Sequence, residues 1–151
     1  MKTFRILLSL LVLTVTNCKN DTAQTNVEAQ QTQNQSLLDT LQLRFNNGEK
    51  WIANIETHQG IKNMDSIIQE FKNLEAKNYK ELGDKLSKQT SYIIQKCNMK
   101  GEPHDQLHVV LVPMLDEISA LKDSESSNTA EEALTNLELL IKKYFTHFKY
   151  N

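Results

Sequence analysis

The sequence predicts a mainly α-helical domain built on one core, and three observations carry that expectation. Apolar residues recur at steps of three and four in four separate stretches, the spacing of a helix face. Gly and Pro number only 4 and 2 in 151 residues, which disfavours a turn-rich β architecture. The polar breaks between the stretches are short, so consecutive helices fold back on one another. The expected architecture is an up-down-up-down antiparallel four-helix bundle preceded by a short β-hairpin. A formal charge of −2, from 17 Lys and Arg against 19 Asp and Glu, excludes a basic footprint over the whole chain. Nucleic acid is therefore not among the expected partners.

The first 17 residues are expected to lie outside the fold. Lys2 and Arg5 precede the apolar run Ile6 to Val15, which has the length of a signal-peptide core and is too short to span a bilayer. Val15-Thr16-Asn17-Cys18 follows and resembles the lipobox of bacterial lipoproteins. It departs from that pattern at Asn17, where the family favours a small residue. The resemblance implies that Cys18 is lipidated, becomes the first mature residue and anchors the chain to a membrane. Residues 19–35 are crowded with Gln, Asn and Thr and hold little to bury, so 18–35 reads as the lipidated Cys and a flexible tether. Its reach is about 20–25 Å. The domain is then 36–151. Lys19-Asn20-Asp21 resembles the start of lipoproteins of the Bacteroidota, which implies a cell-envelope location on the outer membrane, facing periplasm or cell surface.

Leu41, Leu43 and Phe45 alternate with polar residues, Asn46-Asn47-Gly48 interrupts, and Glu49 to Ile52 resumes an extended pattern. Asn-Gly between such segments predicts a hairpin. Ile61, Met64, Ile68 and Phe71 mark the first helix, over about 55–74. Tyr79, Leu82, Leu86, Ile93 and Cys97 mark the second, with Gln89 in the stripe, over about 78–98. Pro103 suits the first turn of a third helix with the stripe Leu107, Leu111, Met114, Ile118 and Leu121, kinked before Pro113. Asn128 or Thr129 is the expected cap of the last helix, which runs to about Phe148 with Glu131 and Glu132 in its first turn.

In an up-down-up-down arrangement, the start of the first helix, the end of the second, the start of the third and the end of the fourth share one end. His58, Cys97 with Met99, His104 with His108, and His147 occupy those positions. Two imidazoles four apart on a helix, a thiolate and a thioether form a soft donor set. The expected metal ligands are therefore Cys97, His104, His108 and Met99, completed by His147 and His58. The row 104, 108, 111, 115 and 118 is expected to face the core, with Glu102 and Asp105 orienting the imidazoles from outside. A copper ion fits this set best and a zinc ion is the alternative. Buffering, delivery or sensing is the expected role. The hairpin, helices and Cys-x-Met with paired His resemble small envelope lipoproteins of the Bacteroidota over residues 40–148, a resemblance that implies location and no activity.

Three other classes compete. Met64 with His147 loosely resembles the haem ligands of helical cytochromes, but no C-x-x-C-H occurs, and Met64 sits about two turns into its helix, which also weighs against haem b. A lipid-anchored module without a metal could dock on an envelope protein through Phe45, Trp51 or the tail Tyr144–Tyr150. Enzyme motifs such as G-x-S-x-G and H-E-x-x-H are absent from the sequence, and Glu102 could act as a base only beside a metal that keeps a water.

Overall fold

Four helices and two short strands follow one another in a computed structural model that describes residues 40–151. Strand β1 is Trp51–Ile52, and helices α1 to α4 are Ile55–Lys72, Tyr79–Lys96, Glu102–Asp123 and Ser127–His147. Strand β2 is Phe148–Lys149. The expected signal segment, Cys18 and tether lie outside the described residues. The fold is mainly helical, as expected.

Each helix is where its apolar period places it. In α1 the buried positions are Thr57, Gly60, Ile61, Met64, Ile68 and Phe71, one stripe of a 3.6-residue helix. Helix α2 buries Leu82, Gly83, Leu86, Thr90 and Ile93. The other expected stripe positions, Tyr79, Gln89 and Cys97, are half-buried, and the Gln89 side chain accepts from Asn63 Nδ2 at 3.2 Å. Helix α3 buries Leu107, Val110, Leu111, Met114, Ile118 and Leu121 and runs through Pro113 without a break. Helix α4 buries a stripe from Ala130 to His147. Full burial of a side chain such as Ile61, Met64 or Ile68 contributes roughly 1.5–3 kcal/mol each, which is what holds the helices together.

Caps define the joints. Asn78 Oδ1 accepts from Glu81 N at 3.1 Å at the start of α2. Gly101, at φ +65° and ψ −150°, turns the chain into α3, and its carbonyl accepts from His104 N and Asp105 N. That conformation is open to glycine and strained for other residues. The cap of α4 is Ser126, whose Oγ accepts from Thr129 N at 3.2 Å, rather than Asn128 or Thr129. The helix therefore begins earlier than expected, and Glu131 and Glu132 fall beyond its first turn.

The segment read as a hairpin differs in its second half. Asn46 and Glu49 exchange backbone hydrogen bonds of 2.9 Å around Asn47 and Gly48, both with positive φ, so the Asn-Gly turn forms. The arms do not continue as a ribbon. Trp51 and Ile52 pair in parallel with Phe148 and Lys149 instead. A lone two-stranded ribbon is marginal in water, whereas pairing with β2 buries Trp51 and Phe148 against the core. Trp51 Nε1 donates to Arg44 O at 2.7 Å, which closes the loop onto the same end.

Neighbouring helices pack in chain order, and α1 also touches α4. Asn54 Nδ2, just before α1, donates to Lys96 O at the end of α2. Lys72, the last residue of α1, pairs with Glu138 near the middle of α4 at 2.7 Å, and Asp84 of α2 pairs with Lys122 near the end of α3 at 3.2 Å. Two glycines set the closest approaches. A Cβ at Gly60 would overlap Ile93 Cγ1 and lie 2.9 Å from its Cδ1; one at Gly83 would lie 2.5 Å from Lys122 Cγ and 3.3 Å from Ile118 O.

Gly60→Ala is expected to destabilise the domain, because overpacking against the buried Ile93 costs about 1–3 kcal/mol and outweighs a helix-propensity gain of at most about 1 kcal/mol. Thermal unfolding followed by circular dichroism measures it, and a rise in Tm would show that α1 and α2 have slack between them.

Candidate functional site

Cys97, Met99 and the four histidines lie near the starts of α1 and α3 and the ends of α2 and α4. Cys97 immediately follows α2 and is half-buried against the core. Its Sγ lies 3.6 Å from His104 Nδ1. His104 sits in the first turn of α3 because Gly101 turns the chain sharply and Pro103 starts the helix, so seven residues of sequence close into one thiol–imidazole contact. The His108 ring lies one turn on, with centroids 4.4 Å apart and planes inclined at 51°. Met99, half-buried in the connecting turn, packs against the core.

The expected core-facing row holds in part: Leu111 and Ile118 are buried and Leu115 is half-buried, but the row's first turn is not buried. His104 is half-buried but His108 is exposed, because the buried stripe of α3 runs through Leu107, Val110, Leu111 and Met114. His108 thus opens to solvent beside His104.

The other two histidines belong to an aromatic cluster at the same end. Tyr144 is fully buried, and its Oη lies 3.3 Å from His58 Nδ1. With the phenol donating, His58 carries its own proton on Nε2. The His58 ring also meets Phe145 edge-on at 5.5 Å and Tyr150 at 4.6 Å. Burial, with the neighbouring charges of Lys62 and Lys50, holds His58 below its ordinary value. Burial pushes the Tyr144 phenol strongly up, with the nearby Cys97 adding to the shift, so the phenol stays protonated. His147 Nδ1 donates to Lys143 O at 2.8 Å, and its ring stacks on Phe45 at 4.4 Å. The structure therefore brings Cys97, His104 and His108 together and engages His58 and His147 with aromatic rings. Among the described residues, no group of three or more His, Cys, Asp or Glu side chains converges as a metal cage.

Glu102 serves the incoming chain: its Oε1 accepts from Arg44 Nη2 at 2.6 Å and Nε at 3.2 Å. Asp105 is exposed. Sequence reasoning missed Arg44 and Gln106, the latter buried to 5 % exposure with Oε1 accepting from Arg44 N at 2.8 Å. A polar residue within the buried stripe of α3 was the available signal, since such a group must find a partner. Met64 and Met114 are both fully buried in the core.

A tetrahedral metal bound at ~2.3 Å to sulfur and ~2.0 Å to nitrogen holds those atoms about 3.5 Å apart. The Cys97–His104 separation of 3.6 Å matches that edge as well as it matches a thiol hydrogen bond. The pair can thus present one thiolate and one imidazole to a common point without backbone movement. Comparison with protein families, with curated proteins and with solved structures finds no match for this chain.

Because His58 is held below its ordinary value near 6.5, the unfolded chain takes up the proton first as pH falls. This contribution to stability is complete above about pH 7 and declines as pH drops below the ordinary value toward the lowered one. Thermal unfolding between about pH 7 and pH 5 is expected to show a decline in Tm that His58→Gln reduces. An unchanged slope in the variant would place that proton elsewhere.

Proposed function

We propose that this chain is an envelope lipoprotein, anchored through Cys18, whose helical domain binds a soft transition metal for buffering, delivery or sensing. The four helices are read as an up-down-up-down antiparallel bundle. In support, contacts link the start of α1 to the end of α2, while Asp84, in the first half of α2, meets Lys122 near the end of α3. The observation that carries the metal reading is the 3.6 Å approach of Cys97 Sγ to His104 Nδ1. His108, exposed and with its ring centroid 4.4 Å from that of His104, offers a third donor, and Met99 lies in the same turn.

Copper is favoured over zinc on coordination grounds. A thiolate with one or two imidazoles, and a thioether at hand, suits monovalent copper, which accepts few soft ligands. A structural zinc site wants a closed tetrahedral cage. A thiol in an oxidising envelope is also protected from oxidation when it is ligated. His58 and His147 would act as outer groups in this reading, through Tyr144 and Phe45. Glu102, held by Arg44, fixes the first turn of α3 and with it His104.

Anaerobic titration with monovalent copper, read by thiolate-to-metal absorption in the ultraviolet and by elemental analysis after desalting, is expected to give one equivalent per chain. Cys97→Ser and His104→Ala are each expected to weaken binding at least about a hundredfold, beyond the ~10- to 100-fold that outer partners cost. His58→Gln is expected to leave the stoichiometry unchanged. Full metal retention in both ligand variants would overturn the assignment, and no retained metal in the unaltered chain would leave a docking module as the better reading.

A further inference from the structure

Dividing each helix at its midpoint separates two ends of opposite charge. Residues 40–63, 88–112 and 138–151 hold nine Lys or Arg against five Asp or Glu, a net +4. Residues 64–87 and 113–137 hold five against eleven, a net −6. Exposed apolar residues are as unevenly placed. Of the eight large hydrophobic side chains exposed among the described residues, only Leu74 belongs to the acidic end. Phe45, Ile52, Ile55 and Tyr150 form one neighbourhood at the basic end: Phe45 stacks on His147, Ile52 pairs with Lys149, and Tyr150 packs on His58 in the first turn of α1. Lysines lie among them. Lys149 is the strand partner of Ile52, its Nζ lying 3.7 Å from the exposed Glu49 carboxylate that phosphate would replace, and Lys50 Nζ reaches Phe145 O at 2.7 Å with its side chain still exposed. The described chain also enters at this end, where Arg44 pairs with Glu102 at the start of α3.

We propose that this end rests directly on an anionic phospholipid surface, with Phe45, Ile52, Ile55 and Tyr150 at headgroup depth and Lys50 and Lys149 against the phosphates. An apolar patch rimmed by cations is the surface that a headgroup layer accepts: rings and aliphatic side chains sit at the boundary and lysine stems extend to phosphate. A protein partner of ordinary composition would match the apolar patch without requiring the charge polarity. The described residues carry a net −2, so an unpolarised domain would be repelled, and binding must come from this end alone. No helix among the described residues is long and apolar enough to cross a membrane, so the contact is with the surface. This inference goes beyond the metal reading and does not depend on it, since none of Cys97, His104 or His108 takes part.

The test uses the chain from residue 18 with Cys18→Ser, which keeps every described residue and removes any lipid. It is mixed with vesicles of phosphatidylcholine alone or with about one third phosphatidylglycerol, and bound protein is measured by co-sedimentation at low and high salt. Binding is expected only to the anionic vesicles and is expected to weaken with salt. Each lysine near such a surface is worth roughly fivefold in partitioning, so Lys50→Gln with Lys149→Gln should weaken binding by about twentyfold or more. Ile55→Ser, at a position 60 % exposed, should weaken it without altering the circular dichroism spectrum. Lys80→Gln with Lys85→Gln, at the acidic end, should leave it unchanged. Equal binding to neutral and anionic vesicles, no binding to either, or equal loss from the two lysine pairs would each overturn the proposal.

Discussion

Two glycines in helix interiors fix the spacing on which the domain depends. Gly60 lets α1 close on Ile93 of α2, and Gly83 lets α2 close on Ile118 and Lys122 of α3. The Ile93 side chain of α2 thereby lies on the α1 backbone, and the α2 backbone at Gly83 lies on the Lys122 side chain and the Ile118 carbonyl of α3. Leu82, Leu86 and Ile93 then reach full or nearly full burial without large side chains having to bridge a gap. The same closeness brings the last residues of α2 beside the first of α1, where Asn54 bonds Lys96 O, and leaves Cys97 on a short turn into α3.

Helix positions were readable because burial demands a 3.6-residue period and each stripe is written locally. The Asn-Gly turn was readable for the same reason, since positive φ at Asn47 and Gly48 is a local preference. The partner of Trp51 and Ile52 was not: Phe148 and Lys149 lie almost the whole domain away in sequence, and two residues carry no register signal. The cap of α4 was misplaced because residues 124 to 129 hold several good capping side chains, and only the backbone decides among them.

At the candidate site the sequence disclosed neighbourhood more than contact. The expected alternation of helix direction put the histidines in one neighbourhood. It could not tell that His58 turns to Tyr144 and His147 to Phe45, because those pairs depend on how far the aromatic residues of α4 and the entry segment reach. His108 was assigned to the wrong side by one residue, an angle of about 100° on a helix. Gln106 signalled only that a buried polar group needed a partner; that the partner is the Arg44 backbone, from a segment 62 residues away, leaves no trace in the local pattern.

The parallel pairing of β1 with β2 has a mechanical consequence. Parallel neighbours point the same way, so a pull directed into the domain's first residues and out past Lys149 loads their hydrogen bonds side by side, in shear, instead of peeling them one at a time. Any protein fused just after Lys149 emerges about a strand's width, about 5 Å, from Ile52 and would crowd whatever that end approaches. A reporter placed within the turn between α1 and α2 would project from the far end and leave the approach clear.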